Sequence, residues 1–294
     1  MKQAIIDIGS NSIRLTVYET EGQSFRILFR EKIMAGPAGY VEDGKLSAEG
    51  IECACAGLLT FRKILQTLQI ENVRIFATAS LRNISNTARA LSVIRAATGY
   101  SVEVISGEDE ALFGYAGAMR ELHLTGGAFL DIGGASTEIV TFEDNAPVDF
   151  ASFPIGSLSL YRRCVKKNLP GDGSLKRLRQ EIGKTTDVSE GALKSRALLV
   201  GVGGTARTAL KLARHYYKIS DDCRSITAEQ LDGLCKFLCS GKKEAGDLIL
   251  RLEAERIHTL VPGLLILQHV FHLFQAEQLV VSKYGVREAY AKKF

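Results

Sequence analysis

Residues 3–15 read QAIIDIGSNSIRL and residues 127–140 read GAFLDIGGASTEIV, and these two stretches decide the fold. Each is an apolar run that ends in Asp-Ile-Gly, turns through small and hydroxyl residues, and returns as a second run. An apolar run closed by a glycine turn predicts a buried strand and its antiparallel partner. A third strand follows in both places, FRILFREKI at 25–33 and VDFASFPI at 148–155, and then a helix. Strand-strand-strand-helix openings at residue 3 and again at residue 127 are a duplication at the scale of a domain, not a short solenoid repeat.

Outward from the first hairpin, Ser47 is placed to cap a long amphipathic helix running to about Gln69. A buried strand (73–78), a helix (84–98), a strand (102–106) and a helix (108–122) complete the first half. The second half continues with a helix at 157–167, a Gly/Pro turn at Pro170-Gly171-Asp172-Gly173 and a strand at 197–203. Helices at 205–215, 227–240, 243–256 and 261–274 follow, then a strand at 278–283 and a short helix from Val286. The expectation is an α/β protein of two lobes with an interlobe cleft. Residues 1–122 form the first lobe and 123–283 the second, with the last helix (about 284–294) packing back on the first.

Composition narrows the class. The 294 residues are 46% hydrophobic and 24% charged, which excludes disorder, fibres and a disulfide mini-scaffold. No apolar run approaches the roughly 18 residues of a membrane span, so no membrane partner is expected. Met1-Lys2-Gln3 leads straight into a strand instead of an export signal, which points to a cytoplasmic protein with its six cysteines reduced. Cys53/Cys55 and Cys235/Cys239 lie in apolar helical stretches without paired Cys-x-x-Cys knuckles, so a zinc site is not expected. His123, His215, His258, His269 and His272 read as core or interface residues, and no Ser/His/Asp arrangement suggests acyl chemistry.

Charge is uneven. Residues 1–130 carry 13 basic and 14 acidic residues, whereas 131–294 carry 24 and 19. Eight of those basic residues lie between Arg162 and Lys184 (Arg162, Arg163, Lys166, Lys167, Lys176, Arg177, Arg179, Lys184). Such a stretch is either a solvated helix face or a surface for an anionic partner. Nucleic acid is disfavoured, because basic-aromatic interleaving and tryptophan are absent.

The chemistry is expected at the two hairpin turns. Gly9, Ser10, Asn11 and Ser12 in one, and Gly133, Gly134, Ala135, Ser136 and Thr137 in the other, are small or hydroxyl-bearing. Small residues let backbone N–H groups approach an anion, and hydroxyls add donors. Two such loops could clasp consecutive phosphates. The strand-end acids Asp7 and Asp131 could hold Mg²⁺, a hard ion that prefers oxygen ligands.

Six segments in order, AIIDIGSNSIRL (4–15), FATASLRNISN (76–86), VISGEDEA (104–111), LDIGGASTEIV (130–140), FPIGSLSL (153–160) and GVGGTART (201–208), resemble the exopolyphosphatase / guanosine-pentaphosphate phosphatase family. That family is a branch of the actin-like (ribonuclease H-like) ATPase superfamily. The resemblance implies that Glu110 is the base activating the attacking water and that Arg82 contacts the terminal phosphate. It also implies metal or water positioning by Asp131 and Glu138, with Asp7 as the first-lobe counterpart. Glu108 and Asp109 read as complements to the helix dipole, and Asn86 as a member of the Arg82 motif or a helix cap. Gly156-Ser157 could be a phosphate-binding helix start or a plain cap. Gly201-Val202-Gly203-Gly204-Thr205 reads as a strand-to-helix turn, which in nucleotide-binding relatives lies near the adenosine and would equally serve a second-lobe phosphate through a helix N-terminus. Ala135 stands where the family usually has a third glycine, His258 where relatives often have Asp, and Ala289 where they often have Gly. The longer relatives' extra helical domains are not represented.

The expected activity is Mg²⁺-dependent removal of terminal orthophosphate from inorganic polyphosphate. The alternatives are a guanosine pentaphosphate 5′-phosphohydrolase and a catalytically weak sensor of either ligand. A sugar or acetate kinase is disfavoured by the SGEDEA setting of Glu110. The apolar helices at 227–274 could bury a homodimer contact or simply form the second lobe's core.

Overall fold

The first hairpin is β1 (Lys2–Ile8) and β2 (Ile13–Glu21), paired without interruption from Lys2 opposite Glu19 to Ile8 opposite Ile13. The computed structural model describes residues 1–22, 24–186 and 194–293. Its contacts divide the chain into two units: unit 1, Met1–Glu110 with the segment from Arg287 onward, and unit 2, Ala111–Val286.

In unit 1, β3 (Ser24–Ile33) joins β2, and a ribbon of β4 (Val41–Glu42) and β5 (Lys45–Leu46) leads into α1 (Ala48–Thr67). The Ser47 hydroxyl accepts from Gly50 N at 3.1 Å and starts that helix as expected. Next come β6 (Val73–Ala77), α2 (Ala79–Arg82), α3 (Thr87–Thr98), β7 (Glu103–Val104) and α4 (Gly107–Leu122). The sheet runs β3-β2-β1-β6-β7, with β6 parallel to β1. Alternation along the strands sends Ala4, Ile6, Ile8, Ile13, Leu15 and Val17 to one face, where Ile51, Ala54, Leu58, Phe61 and Leu65 of α1 cover them.

Unit 2 repeats the plan. β8 (Gly127–Ile132), β9 (Thr137–Glu143) and β10 (Ala146–Phe153) are followed by α5 (Ser157–Cys164), α6 (Asp172–Thr185), β11 (Leu198–Val202) and α7 (Gly203–Tyr217). Then come β12 (Ser225–Thr227), α8 (Ala228–Leu238), α9 (Lys243–Glu253), α10 (Leu260–Phe274) and β13 (Gln278–Val281). The sheet runs β10-β9-β8-β11-β13-β12, so its first five places reproduce unit 1 and β12 is an added antiparallel edge. Ala128, Leu130 and Ile132 face the large helical core. Phe129, Val140, Phe142, Val200 and Val202 face the other way, under Ala111, Tyr115 and Ala118 of α4. Gly114 lets that helix lie flat, since a Cβ there would sit 2.5 Å from the Phe129 ring. This packing explains why the division falls at Glu110/Ala111, inside α4, where the sequence reading drew it at residue 122.

The chain then returns to unit 1 as α11 (Val286–Tyr290). It covers the sheet face opposite α1: Tyr290 packs on Phe76 with ring centroids 4.7 Å apart, and Gln3 Nε2 donates to Ala291 O at 2.9 Å. The N-terminal ammonium donates to Thr20 O at 2.7 Å in the same sheet.

Five of the elements named above were not foreseen: β4 and β5 of the ribbon, α2, α6 and β12. The ribbon strands have two residues each and α2 has four, too few to show a period. In α6 only Leu175, Leu178 and Ile182 are buried, a thin stripe among basic residues. All six cysteines are free thiols, and among the described residues no single helix is long and apolar enough to cross a membrane.

Candidate active site

Each hairpin tip is held by the same three contacts. Within the tip, the glycine after the strand donates to the returning serine: Gly9 N to Ser12 O at 3.2 Å, and Gly133 N to Ser136 O at 2.9 Å. From the side, a hydroxyl in the helix that follows the adjoining parallel strand (α2 after β6, α7 after β11) donates to the strand-end isoleucine. These bonds are Ser80 Oγ to Ile8 O at 2.8 Å and Thr205 Oγ1 to Ile132 O at 3.2 Å. From the third strand's exit, a glycine leans on the tip. A Cβ on Gly36 would collide with the backbone of Ser10 and Asn11, and one on Gly156 would come within 2.5 Å of Ala135 N.

This support fixes the polarity of the tips. Gly133 O accepts from Ser157 N at 2.9 Å, and Gly134 O accepts from Leu158 N and Ser159 N, each at 2.9 Å. In a trans peptide the N–H points opposite to the C=O. With the carbonyls of Gly133 and Gly134 turned onto α5, the N–H groups of Gly134 and Ala135 turn away from it. In unit 1, Ser10 O accepts from Ala38 N at 3.3 Å, which turns the Asn11 N–H the same way. Successive outward N–H groups of this kind form an anion-binding concavity. Of the two readings of Gly156-Ser157, the structural one fits, because the first amides of α5 are already used by the hairpin carbonyls.

The strand-end acids differ between units. In unit 1, Asp7 lies opposite Arg14 in the β1–β2 register, and Arg287 Nε is 4.0 Å from Asp7 Oδ2. Burial raises the Asp7 pKa, with Arg287 and then Arg14 pulling it back and Glu288 adding to the rise. Arg14 Nε also donates to Ser12 Oγ at 3.1 Å. In unit 2, Asp131 lies opposite Glu138, a directly facing pair of acids. Glu138 is fully buried and its Oε1 accepts from Ser152 Oγ at 3.0 Å. The Asp131 carboxylate leans on Gly203, the first residue of α7, where a side chain would collide with it. Gly203 also has φ +76°, a backbone that favours glycine.

Among the three acids that open α4, burial separates the roles. Glu108 and Asp109 are exposed, and Asp109 caps the helix by accepting from Ser106 Oγ at 2.8 Å while its N donates back at 2.9 Å. Glu110 is buried and pairs with Arg82, Nη1 to Oε2 at 2.8 Å. The same Arg82 nitrogen donates to Ile105 O at 3.1 Å. The structure thus brings the expected base and the expected phosphate-binding arginine into direct contact. Asn86 makes no side-chain cap bond; its amide pairs both ways with the Leu46 backbone, at 2.9 and 3.0 Å, and staples the ribbon to α3.

Mg²⁺ fits the unit 2 pair better than Asp7. Two like charges facing across strands destabilise each other unless a cation or proton intervenes, whereas Asp7 already has two guanidinium groups for company. Among the described residues no cluster of three or more His, Cys, Asp or Glu converges as a ready-made cage. That suits a metal carried by one or two carboxylates with water and phosphate oxygens as its other ligands. The sequence reading assigned no role to Gly36, Ser80 or Arg287, all distant in sequence from the tips they support.

Comparison with known proteins finds relatives along nearly the whole chain. The description of the Ppx/GppA phosphatase family matches residues 16–291. A curated relative from Haemophilus influenzae, named "Putative exopolyphosphatase", is 30% identical over 292 residues, covering 97% of this chain and 88% of the relative. The crystal structure of an Aquifex aeolicus Ppx/GppA family member superposes with a TM-score of 0.79 at 26% identity, covering 100% of this chain and 97% of its own. The structure of an exopolyphosphatase from Cytophaga hutchinsonii gives 0.88 at 22% identity, with coverage of 100% and 97%, a likeness of fold.

Proposed function

The chain belongs to the Ppx/GppA phosphatase family, and on that premise we propose that it releases terminal orthophosphate from inorganic polyphosphate with Mg²⁺. The observation that carries the reading is the outward-turned N–H groups of both hairpin tips, with a buried Arg82–Glu110 pair in unit 1 and a facing acid pair in unit 2. Each tip would bind phosphate oxygens by its backbone N–H groups and hydroxyls, Ser10 and Ser12 at 9–12 and Ser136 and Thr137 at 133–137. Arg82 would neutralise charge on its equatorial oxygens. Glu110 would accept the proton of a water aligned with the terminal phosphorus. An arriving phosphate competes with Glu110 for the Arg82 guanidinium, so substrate binding would free the carboxylate for the water.

Asp131 and Glu138 would hold the Mg²⁺, which would offset charge developing on the phosphate oxygens. Asp7 would order the contacts of the first hairpin. Polyphosphate is favoured by the exposed basic residues of α5, α6 and the loop between them (Arg162, Arg163, Lys166, Lys167, Lys176, Arg179), which could track repeated phosphates.

The test is phosphate release from polyphosphate and from guanosine pentaphosphate, side by side, with Mg²⁺ and with a chelator. Faster release from polyphosphate that stops on chelation supports the proposal, and a preference for the nucleotide replaces the substrate. Tight binding of either with no release in Mg²⁺ would mark a sensor and remove the hydrolase reading.

A further inference from the structure

We propose that Arg287, 280 residues beyond Asp7 in the chain, is a positioning residue for the reaction, aligning Asp7 at the end of β1. The inference rests on the phosphohydrolase reading and deepens it. Arg287 Nη1 donates to Thr16 Oγ1 at 3.0 Å, and its Nε lies 4.0 Å from Asp7 Oδ2. Thr16 faces Ile5 and Arg14 faces Asp7 in the register, so Thr16 and Asp7 sit on one face of the sheet, one step apart. A planar guanidinium fork can span both, which a single ammonium cannot.

Its neighbours hold Arg287 in place. Glu288 is 2% exposed and accepts from Tyr18 OH at 3.0 Å, with Arg30 at 3.5 Å. Two residues on, Tyr290 packs on Phe76. The Arg287 and Asp7 side chains keep only 15% and 18% of their exposure, so the pair is enclosed yet still reachable. Anchoring of the segment is already supplied by Glu288 and Tyr290, while Arg287 alone is aimed at the strand-end acid. In unit 2 the covering helix packs Ala111, Tyr115 and Ala118 on the equivalent face.

The test uses the full chain with R287Q, R287K and R287A, assaying polyphosphate hydrolysis per folded molecule, with the folded fraction taken from circular dichroism. R287Q should lose roughly tenfold to a hundredfold in kcat, the scale of a misplaced group, with KM within about twofold. R287K should fall between R287Q and wild type, and free guanidinium should partly restore R287A. Wild-type kcat in R287Q, or losses that follow only the folded fraction and ignore guanidinium, would overturn the proposal while leaving the hydrolase reading intact. A wild-type chain that releases no phosphate would overturn both.

Discussion

The two hairpins occupy the same place in two sheets of the same order, yet their charges are opposite. In unit 1, Asp7 faces Arg14 and meets Arg287 from the covering helix; in unit 2, Asp131 faces Glu138. The supports are common to both: a glycine leaning on the tip, a hydroxyl bound to the strand-end isoleucine, a glycine-to-serine bond across the turn. The scaffold is thus duplicated while the electrostatics have diverged. On the proposed reading, the first hairpin would suit an anion and the second a cation.

The sharpest way to break this division is Glu110→Gln, which removes the proposed base. Phosphate release should fall about 10²- to 10⁴-fold with the fold intact, and a variant with near-normal turnover would remove the base assignment. Next, Glu138→Gln should weaken Mg²⁺ by roughly ten- to a hundredfold. The readout is a thermal shift on Mg²⁺ addition without substrate, present in wild type and lost in the variant; an unchanged shift would place the metal elsewhere.

Arg14→Gln tests the opposite charge. It should raise KM for polyphosphate by about tenfold, the effect of one charged hydrogen bond, and leave the Mg²⁺-induced shift unaltered. If Arg14→Gln changed metal affinity instead, the two hairpins would not divide the work as drawn.

Gly36→Ala and Gly156→Ala probe what the hairpins share. Each pushes a methyl into a tip backbone, so each should cost roughly 1–3 kcal/mol in urea unfolding and weaken substrate binding. Only one of the two being sensitive would mean the supports are not equivalent.

The smallest effect concerns pH. Burial is the leading influence on Asp7 and raises its pKa. A folded pKa above the unfolded value favours the protonated fold, so this contribution is fully present below the unfolded pKa and lost as pH rises through the folded one. Asp7→Asn should therefore melt higher than wild type near neutrality, with the gap closing as pH falls toward the ordinary carboxyl value of 3.8. Parallel melting curves across that range would show that the two arginines outweigh burial.

Much of this was legible in the sequence because it is local. The Asp-Ile-Gly turns, the Ser47 cap and the hydrophobic alternation of β1, β2, β8 and β9 each lie within a dozen residues, where periodicity operates. Glu110 could be picked from its two acidic neighbours by motif, and its burial then separates it from them. What stayed hidden depends on the folded chain. Gly36 matters only because the third strand's exit lands on the tip, and Asn86 because Leu46 lies beside it. Arg287 matters because the chain returns after crossing the whole of unit 2. The boundary within α4 was hidden for the same reason, since Ala111, Tyr115 and Ala118 reveal their allegiance only against Phe129 and Val140.

That return path has a consequence for biosynthesis. Residues 111–286 are one uninterrupted stretch, so unit 2 can mature as soon as it has emerged from the ribosome. Unit 1 begins translation first but finishes last, since the face bearing Gln3, Asp7, Thr16 and Tyr18 stays uncovered until Arg287, Glu288 and Tyr290 have been made. A chain truncated after residue 286 should therefore carry a protease-resistant second half beside a still-labile first half.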